Sequence, residues 1–559
     1  MGFWASGVVW EGFMSRNFRK FLTLAVFLFA ALMAGLLSSC RSPQKFKDEA
    51  DKEVYRVIDQ KWQAKFGQKS NYKVRDAESN VPDINAMVPP NRILTLRQAV
   101  AIATKYNRDY QTQKEFLYQS ALNLTLTRHT YEVQWLGTFD AGYAKSYNNL
   151  TETKQEKTTA DASAGPSKSY LIGDGIQVAT SLALDWSRFL TGNPRDSLAS
   201  VLNGSIAVPL LGAGAGKQAK ETLTEAERSV LYQIRSFNRY RQTFVTNIIA
   251  AYYGVVQQKE RVAISEASYR RLIDSTNQLK MEADVGQRPP YDADEAQQSL
   301  LTAENGLIAD KQNYEQALDR FKIQLGLPTD ANIALDQTEL KALEKTGISP
   351  PEYTENDALN TALVQRLDLA NTKDNLEDAV RQLKLAADGL GVQLNLTASA
   401  NASSPSPGSQ PGKIELNKGN YALGLQGDLP LDRKSERNNY RKAMITVQQQ
   451  QRGLDDAVAQ LQLAVRQAYR DLKETAESYR IQKVGLQLAE RRLDREKLML
   501  EYGQGTVRLL LESEDALVAA QNAVTSALVD HTITKMNFFR DIGVLTVKPD
   551  GMWEEGAKQ

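Results

Sequence analysis

Two histidines and one cysteine are the only imidazole and thiol groups in 559 residues. His129, His531 and Cys40 are far apart in sequence, and the nine methionines are scattered singly. A structural zinc site, a disulfide framework and a methionine-lined copper path therefore all lack residues. An envelope hydrolase is equally poorly supplied, because nucleophile, base and orienter cannot be assembled from these groups. No catalytic, cofactor-binding or metal-binding residue is expected. Neither sign of charge dominates, with 68 Lys and Arg against 67 Asp and Glu. That balance speaks against a nucleic-acid groove or a polyanionic partner. Proline is missing from 215–283 and from 435–501. Beyond Cys40 there is also no apolar run long enough to span a bilayer as a helix, so any later crossing must be made by strands.

What is present begins near the start. Arg16, Arg19 and Lys20 precede "FLTLAVFLFAALMAGLL", and Ser38, Ser39 and Cys40 follow it. A basic region, an apolar region and small residues at a cleavage point make 1–39 a signal peptide by layout, with Met14 an alternative start. Leu37, Ser38, Ser39 and Cys40 resemble a bacterial lipobox, which implies that Cys40 becomes the lipidated first residue. A transmembrane anchor with an incidental cysteine is the other reading, but about 17 apolar residues is short for a spanning helix. By resemblance to sorted lipoproteins, Arg41 in place of an acidic residue favours the outer membrane over retention in the inner one.

The long proline-free segments carry apolar residues at 3/4 spacing. One stripe runs through Leu223, Ala226, Val230, Ile234 and Phe237, is interrupted at Arg241, and continues with Phe244, Ile248, Ala251 and Val255. Another runs Leu454, Val458, Leu461, Val465, Ala468, Leu472. This spacing predicts coiled-coil packing along helices on the order of 100 Å long. On the stripes alone, a lipid-anchored periplasmic coiled-coil structural protein fits as well as anything else.

An internal repeat narrows the choice. "TLRQAVAIATKYNRDY" (95–110) aligns without gaps on "TENDALNTALVQRLDL" (354–369), "VPLLGAGAGKQAK" on "LPLDRKSERNNYR", and "IQLGL" (323–327) on "RDIGV" (540–544). The same order recurs twice: helix, strand region, Pro-Leu exit, very long helix, glycine break, helix. The chain divides into a tether (40–90), a first repeat (91–350), a second repeat (351–547) and a tail (548–559). Within the tether, "DEADKEVYRVIDQKW" reads as a short amphipathic helix through Val54, Val57, Ile58 and Trp62, leading from the anchor toward the first repeat or offering a contact surface.

The strand regions alternate. Val392, Leu394, Leu396 and Ala398 face one way, Gln393, Asn395, Thr397 and Ser399 the other, and Tyr421, Leu423, Leu425 and Leu429 repeat the pattern. About ten alternating residues suit a transmembrane β-strand. Strands are expected near 391–402 and 419–431, and near 136–147 and 201–211 in the first repeat. Each repeat enters from a helix and returns along one, so the number of crossings must be even. The further candidate 176–186 is therefore assigned to a hairpin within the long loop 148–200. Pro209 and Pro430 close the returning strands. "GAGAGK" is not a phosphate loop, since the glycine spacing is wrong and Gln218 stands where Ser or Thr is needed.

The ordered set "LTLRQAVAIATKYNRDYQ", "VPLLGAGAG", "VGQRPPYDADEAQQSLLTAENGLIADKQNYEQALDRFKIQLGLP" and "YGQGTVRLLLESEDALVAAQNAV" resembles the TolC-like outer membrane efflux protein family, over about 90–545. The resemblance implies a mainly α protein with transmembrane β-strands. It would be a homotrimer in which each protomer gives four strands to a twelve-stranded β-barrel set on a long periplasmic α-helical barrel. It also implies outer-membrane lipid around the barrel, a periplasmic adaptor and an inner-membrane pump as partners, and passive gated export in efflux or type I secretion. Helices about 95–135 with 291–325, and 355–388 with 508–541, would stack end to end against the two long ones.

At the glycine breaks the resemblance implies a periplasmic gate, with Gly286, Gly503 and Gly505 as hinges. Asp292 matches the first-repeat acid, six residues after Gly286, and Tyr502 and Gly505 open the second pattern. Leu511 stands where the family has the first acid and Glu514 where it has the second, flanked by Glu512 and Asp515, with Arg508 as the cationic partner. The competing account is that these are helix-start acids favoured by the positive end of the dipole, and Asp292 and Asp294 suit it.

Overall fold

The computed structural model describes residues 42–63, 66–69, 71–75, 88–148, 153–166, 170–172, 176–189, 195–211, 215–348, 353–404, 413–429, 431–548 and 553–555. The signal peptide, Cys40, residues 212–214 and Pro430 lie outside the described residues.

Helix α1 (Pro43–Lys61) carries the expected apolar face, and Val54, Val57, Ile58 and Trp62 are all buried. Next come β1 (Ile93–Leu94), α2 (Leu96–Tyr106) and α3 (Arg108–Thr130). Thr95 starts α2 with a capping box: its side chain accepts from the Gln98 N–H, and Gln98 accepts from the Thr95 N–H. Two orphan donors are thereby satisfied at once. Strands β2 (Trp135–Asn148), β3 (Thr153–Pro166), β4 (Tyr170–Ile172), β5 (Ile176–Phe189) and β6 (Arg195–Leu211) follow. The first repeat then continues with α4 (Ala215–Asp284), α5 (Pro290–Leu325), β7 (Ala334–Leu335) and α6 (Thr338–Thr346).

The second repeat begins with α7 (Glu355–Gln365), started by a second capping box between Thr354 and Asp357. It continues through α8 (Leu367–Asp388), β8 (Gln393–Ser403), β9 (Asn420–Asp428), α9 (Lys434–Glu501) and α10 (Val507–Asp541). Strands β10 (Leu545–Val547) and β11 (Trp553–Glu555) close the chain as a small antiparallel pair. With 70 and 68 residues, α4 and α9 are each about 100 Å long. Among the described residues no helix is long and apolar enough to cross a membrane.

The expected unbroken helices near 95–135 and 355–388 are each two helices. The breaks fall at equivalent positions, Asn107 (φ −62°, ψ 133°) and Arg366 (φ −68°, ψ 115°). Asn107 caps α3 by accepting from the Tyr110 N–H at 2.9 Å and donates to the Gln324 carbonyl at 2.8 Å, which ties the break to the end of α5. Arg366 donates to the Asp541 carbonyl at 3.0 Å, tying the second break to the end of α10. The glycines of "IQLGL" and "RDIGV" explain the repeat. Gly326 (φ +79°) lies so close to the Tyr106 carbonyl that a Cβ would stand 2.4 Å from it, and a Cβ on Gly543 (φ +82°) would meet the Gln365 backbone at 3.1 Å. Each glycine permits both the left-handed turn and the close approach to the helix end before the break.

Around these junctions lies the core. In the first repeat Tyr110 packs against Phe237 and Phe244, and Tyr252 packs separately against Phe321. In the second repeat Phe538, Phe539, Leu461, Val465, Leu472 and Leu369 pack together. Truncating a ring as buried as Phe538 to alanine costs about 3–5 kcal/mol. Part of the presumed tether is not a loose leash, because Lys61 pairs with Glu227, the Phe66 ring lies 5.5 Å from the Arg235 guanidinium, and Arg241 donates to the Gln68 carbonyl at 2.9 Å.

The main sheet corrects the strand count. Its order is β2-β3-β5-β6-β8-β9 with β4 beside β5, and every pairing is antiparallel. Four expected strands are present, at 135–148, 195–211, 393–403 and 420–428. The hairpin expected within 148–200 is present as β3–β5 but is built into the main sheet, and it holds the segment 176–186. That segment lies in β5, paired with β6 from Gln177↔Ala207 to Phe189↔Arg195. Parity survives because β3 accompanies it, so two strands are added rather than one. β3 escapes detection because "TKQEKTTADASAGP" lacks an apolar face of β-branched or aromatic residues. Strand β6 also runs past Pro209. The register shifts between Pro209 and Leu211, so the proline sits at a bulge, where its missing N–H is tolerated.

Candidate functional site

The two faces of the sheet differ as the alternation requires. On one face Val178, Ile206, Ala398 and Leu423 form a row across four strands, and Thr180, Gly204, Ala400 and Tyr421 form the next. Leu423 is 77% exposed and Leu425 66%, a degree of exposure unsuited to water at neighbouring positions of one strand face. The opposite face carries Asn203, Asn401 and Asn395, with Asn203 and Asn401 bonded at 2.5 Å. In the first repeat this face also holds Asp140, Asp161 and Asp185, directly opposite one another on β2, β3 and β5.

At the other end of the long helices, the α4–α5 and α9–α10 turns are built around glycine. Gly286 (φ +76°) and Gly503 (φ +66°) take left-handed conformations. A Cβ on Gly505 would lie 2.8 Å from the Leu500 nitrogen, so the turn closes only without a side chain. Thr506 then caps α10 through the Leu509 N–H.

The candidate gate residues separate into groups. Glu514 is 5% exposed and accepts from Arg271 Nε at 2.8 Å, with Lys497 Nζ at 3.5 Å, so three helices meet on one buried carboxylate. Beside it, burial and the Glu514 charge hold the Asp515 carboxyl above its usual range. Arg508 and Glu512 pair with each other at 3.0 Å, one turn apart on the exposed face of α10, and Arg492 approaches Glu512 at 3.9 Å. Asp292 is half-buried in the first turn of α5, where its N–H donates to the Pro289 carbonyl. It does not join the Glu514 or Glu512 groups.

Leu511 explains its own departure from the acidic pattern. It is buried with Leu272, Leu279, Ala296 and Val507, where α4, α5 and α10 converge. Residues that the sequence reading missed do much of the joining. Arg271 and Lys497 hold Glu514, while Arg288 pairs with Glu282 and donates to the Leu500 carbonyl at 3.0 Å, clasping one tip turn to the other. Their signal was only a cation in a helix, which is usually solvated.

The histidines are far from each other in role. His531 is buried beside Thr475 Oγ1 at 3.2 Å, and burial lowers its pKa, whereas His129 is exposed next to Glu132 at 3.8 Å. Among the described residues no group of three or more His, Cys, Asp or Glu is placed to hold a metal ion.

The Campylobacter jejuni CmeC outer membrane channel superposes with a TM-score of 0.58 at 14% identity, over 89% of this chain and 93% of that one. The chain has the fold of the outer membrane efflux channels. The TolC-like resemblance read from the sequence thus holds, through a likeness in structure far stronger than that in sequence. The outer membrane efflux protein BepC of Brucella suis is 22% identical over 60% of this chain and 71% of its own length. Toxin and drug export protein A of Aggregatibacter actinomycetemcomitans is 21% identical over 33% of this chain, a match that spans 39% of that protein. No family model matches the sequence.

Proposed function

We propose that the protein is the outer membrane exit duct of a tripartite efflux or type I secretion system, passing solute from periplasm to exterior by gated diffusion. The observation that carries this reading is the sheet, whose exposed apolar face and polar opposite face are continuous with two helices of about 100 Å. An isolated sheet of this kind leaves β2 and β9 as open edges, and open edges are not tolerated in lipid. Closure by three copies, β9 of one against β2 of the next, removes every edge. A lipid-anchored coiled-coil rod would have no use for such a sheet.

On this reading the helices form a periplasmic barrel whose glycine turns meet an adaptor and an inner-membrane pump, which supply the energy. Cys40 anchors the chain in the outer membrane, and the Glu514 and Glu512 groups hold the periplasmic end shut. Membrane fractionation of cells making the full chain tests this. The protein is expected in the outer membrane as a heat-modifiable trimer, and recovery as a soluble periplasmic monomer would overturn the reading.

A further inference from the structure

The two added strands raise a question about the bore. β2 and β6 are the strands that join the helices of the first repeat, yet they do not pair with each other. β3 lies along β2 from Trp135↔Pro166 to Asn148↔Thr153, and β5 lies along β6. Were this hairpin an extracellular flap, its pairing would begin beyond the outer ends of β2 and β6. Instead β3 ends opposite Trp135, the first residue of β2, and β5 starts beside Pro209, with Gln177 opposite Ala207. The hairpin therefore reaches the helix side of the sheet.

The stagger agrees. One line of register partners crosses five strands as Gly137, Ala164, Leu182, Leu202 and Ala402. Gly137 is two residues from the start of β2, Leu182 six from the start of β5, and Ala402 nine from the start of β8. Seven residues of stagger over four inter-strand steps correspond to a strand tilt of about 50°, close to that of transmembrane barrel strands. The inserted strands share in that slant rather than interrupting it. The face of β5 agrees too: Val178 pairs with Ile206 and Leu182 with Leu202 on the apolar side, and Leu182 and Ile206 are 39% and 44% exposed.

We propose that β3 (Thr153–Pro166) and β5 (Ile176–Phe189) form part of the transmembrane wall, giving six strands per protomer and eighteen in the closed trimer. This rests on the exit-duct reading above and sharpens it. Barrel diameter grows about linearly with strand number, so the bore is about half again as wide as that of a twelve-stranded barrel. The outer exit then admits solutes too bulky for four strands per protomer, and the row Asp140, Asp161 and Asp185 lines it. The substrate class that needs such an exit is large solutes, polymers or folded peptides, rather than small drugs alone.

The test is a set of single-cysteine variants of the full chain, in which the lipidated Cys40 has no free thiol, purified into bilayers that contain nitroxide-labelled lipid and reacted with a thiol-specific fluorophore. Leu182→Cys and Leu184→Cys are expected to be quenched at least twofold more than Ala183→Cys and Asp185→Cys, which instead react with a charged water-soluble thiol reagent. Leu396→Cys and Thr397→Cys on β8 provide the control. If β8 alternates and β5 does not, the hairpin is no part of the wall and this inference falls while the duct stands. If neither alternates, the transmembrane reading itself falls.

Discussion

Arg271 donates to Glu514 across 2.8 Å, joining the longest helix of the first repeat to the last helix of the second. Both residues lie near the glycine turns, Glu514 is almost fully buried, and Lys497 approaches its other oxygen. Glu514→Gln keeps the shape but leaves Arg271 and Lys497 without their shared carboxylate. A loss of about 2 kcal/mol is expected at this junction. The variant is expected to spend more time open in single-channel recordings than Glu512→Gln, whose ion pair with Arg508 is exposed and contributes little.

Glycine at the two tip turns does unequal work. Gly505→Ala forces the backbone apart, because its Cβ would stand 2.8 Å from the Leu500 nitrogen, whereas Gly286→Ala has open space and only its left-handed φ to overcome. About 1–2 kcal/mol is expected for the latter, and a larger loss for Gly505→Ala. Thermal unfolding together with limited proteolysis at 500–508 distinguishes them.

Lys114 gives a pH signature. Burial, with the Arg75 charge adding to it, lowers its pKa from 10.5 to about 8. Between those values the folded lysine is neutral while the unfolded one is still protonated, so unfolding takes up a proton and stability rises with pH. The rise is absent below about pH 8, where both states are charged. Lys114→Met is expected to raise the melting temperature at pH 7 and to flatten its increase between pH 8 and 10.

The facing of β8 predicts an asymmetry between neighbours. Leu396 lies in the apolar row with Val208 and Leu425, and Asn395 on the other face. Leu396→Arg is expected to cost about 2–4 kcal/mol of membrane-assembled stability and Asn395→Arg little. Urea titration of the reconstituted protein compares them.

Three aspartates directly opposite one another repel. Asp161→Asn, the central member between Asp140 and Asp185, is therefore expected to stabilise the sheet while lowering the cation preference of the channel, read as a shift in reversal potential under a salt gradient.

The long helices were legible to within a residue or two, because proline-free apolar stripes act locally. Breaks at Asn107 and Arg366 were not, since they depend on partners more than 170 residues away, Gln324 and Asp541. Alternation made β8 and β9 readable. It hid β3, which sits between β2 and β5 by backbone pairing and carries no apolar stripe to announce it. At the tips the acidic residues could be named from the sequence, but the cations that hold Glu514 come from α4 and α9, and their convergence is a property of packing.

Planar-bilayer recording on the purified full-length protein tests the central claim most directly. The account predicts discrete trimer-sized conductances that increase in Glu514→Gln and are lost when β8 and β9 are deleted. A protein that inserts no channel, or one whose conductance survives that deletion, would contradict it.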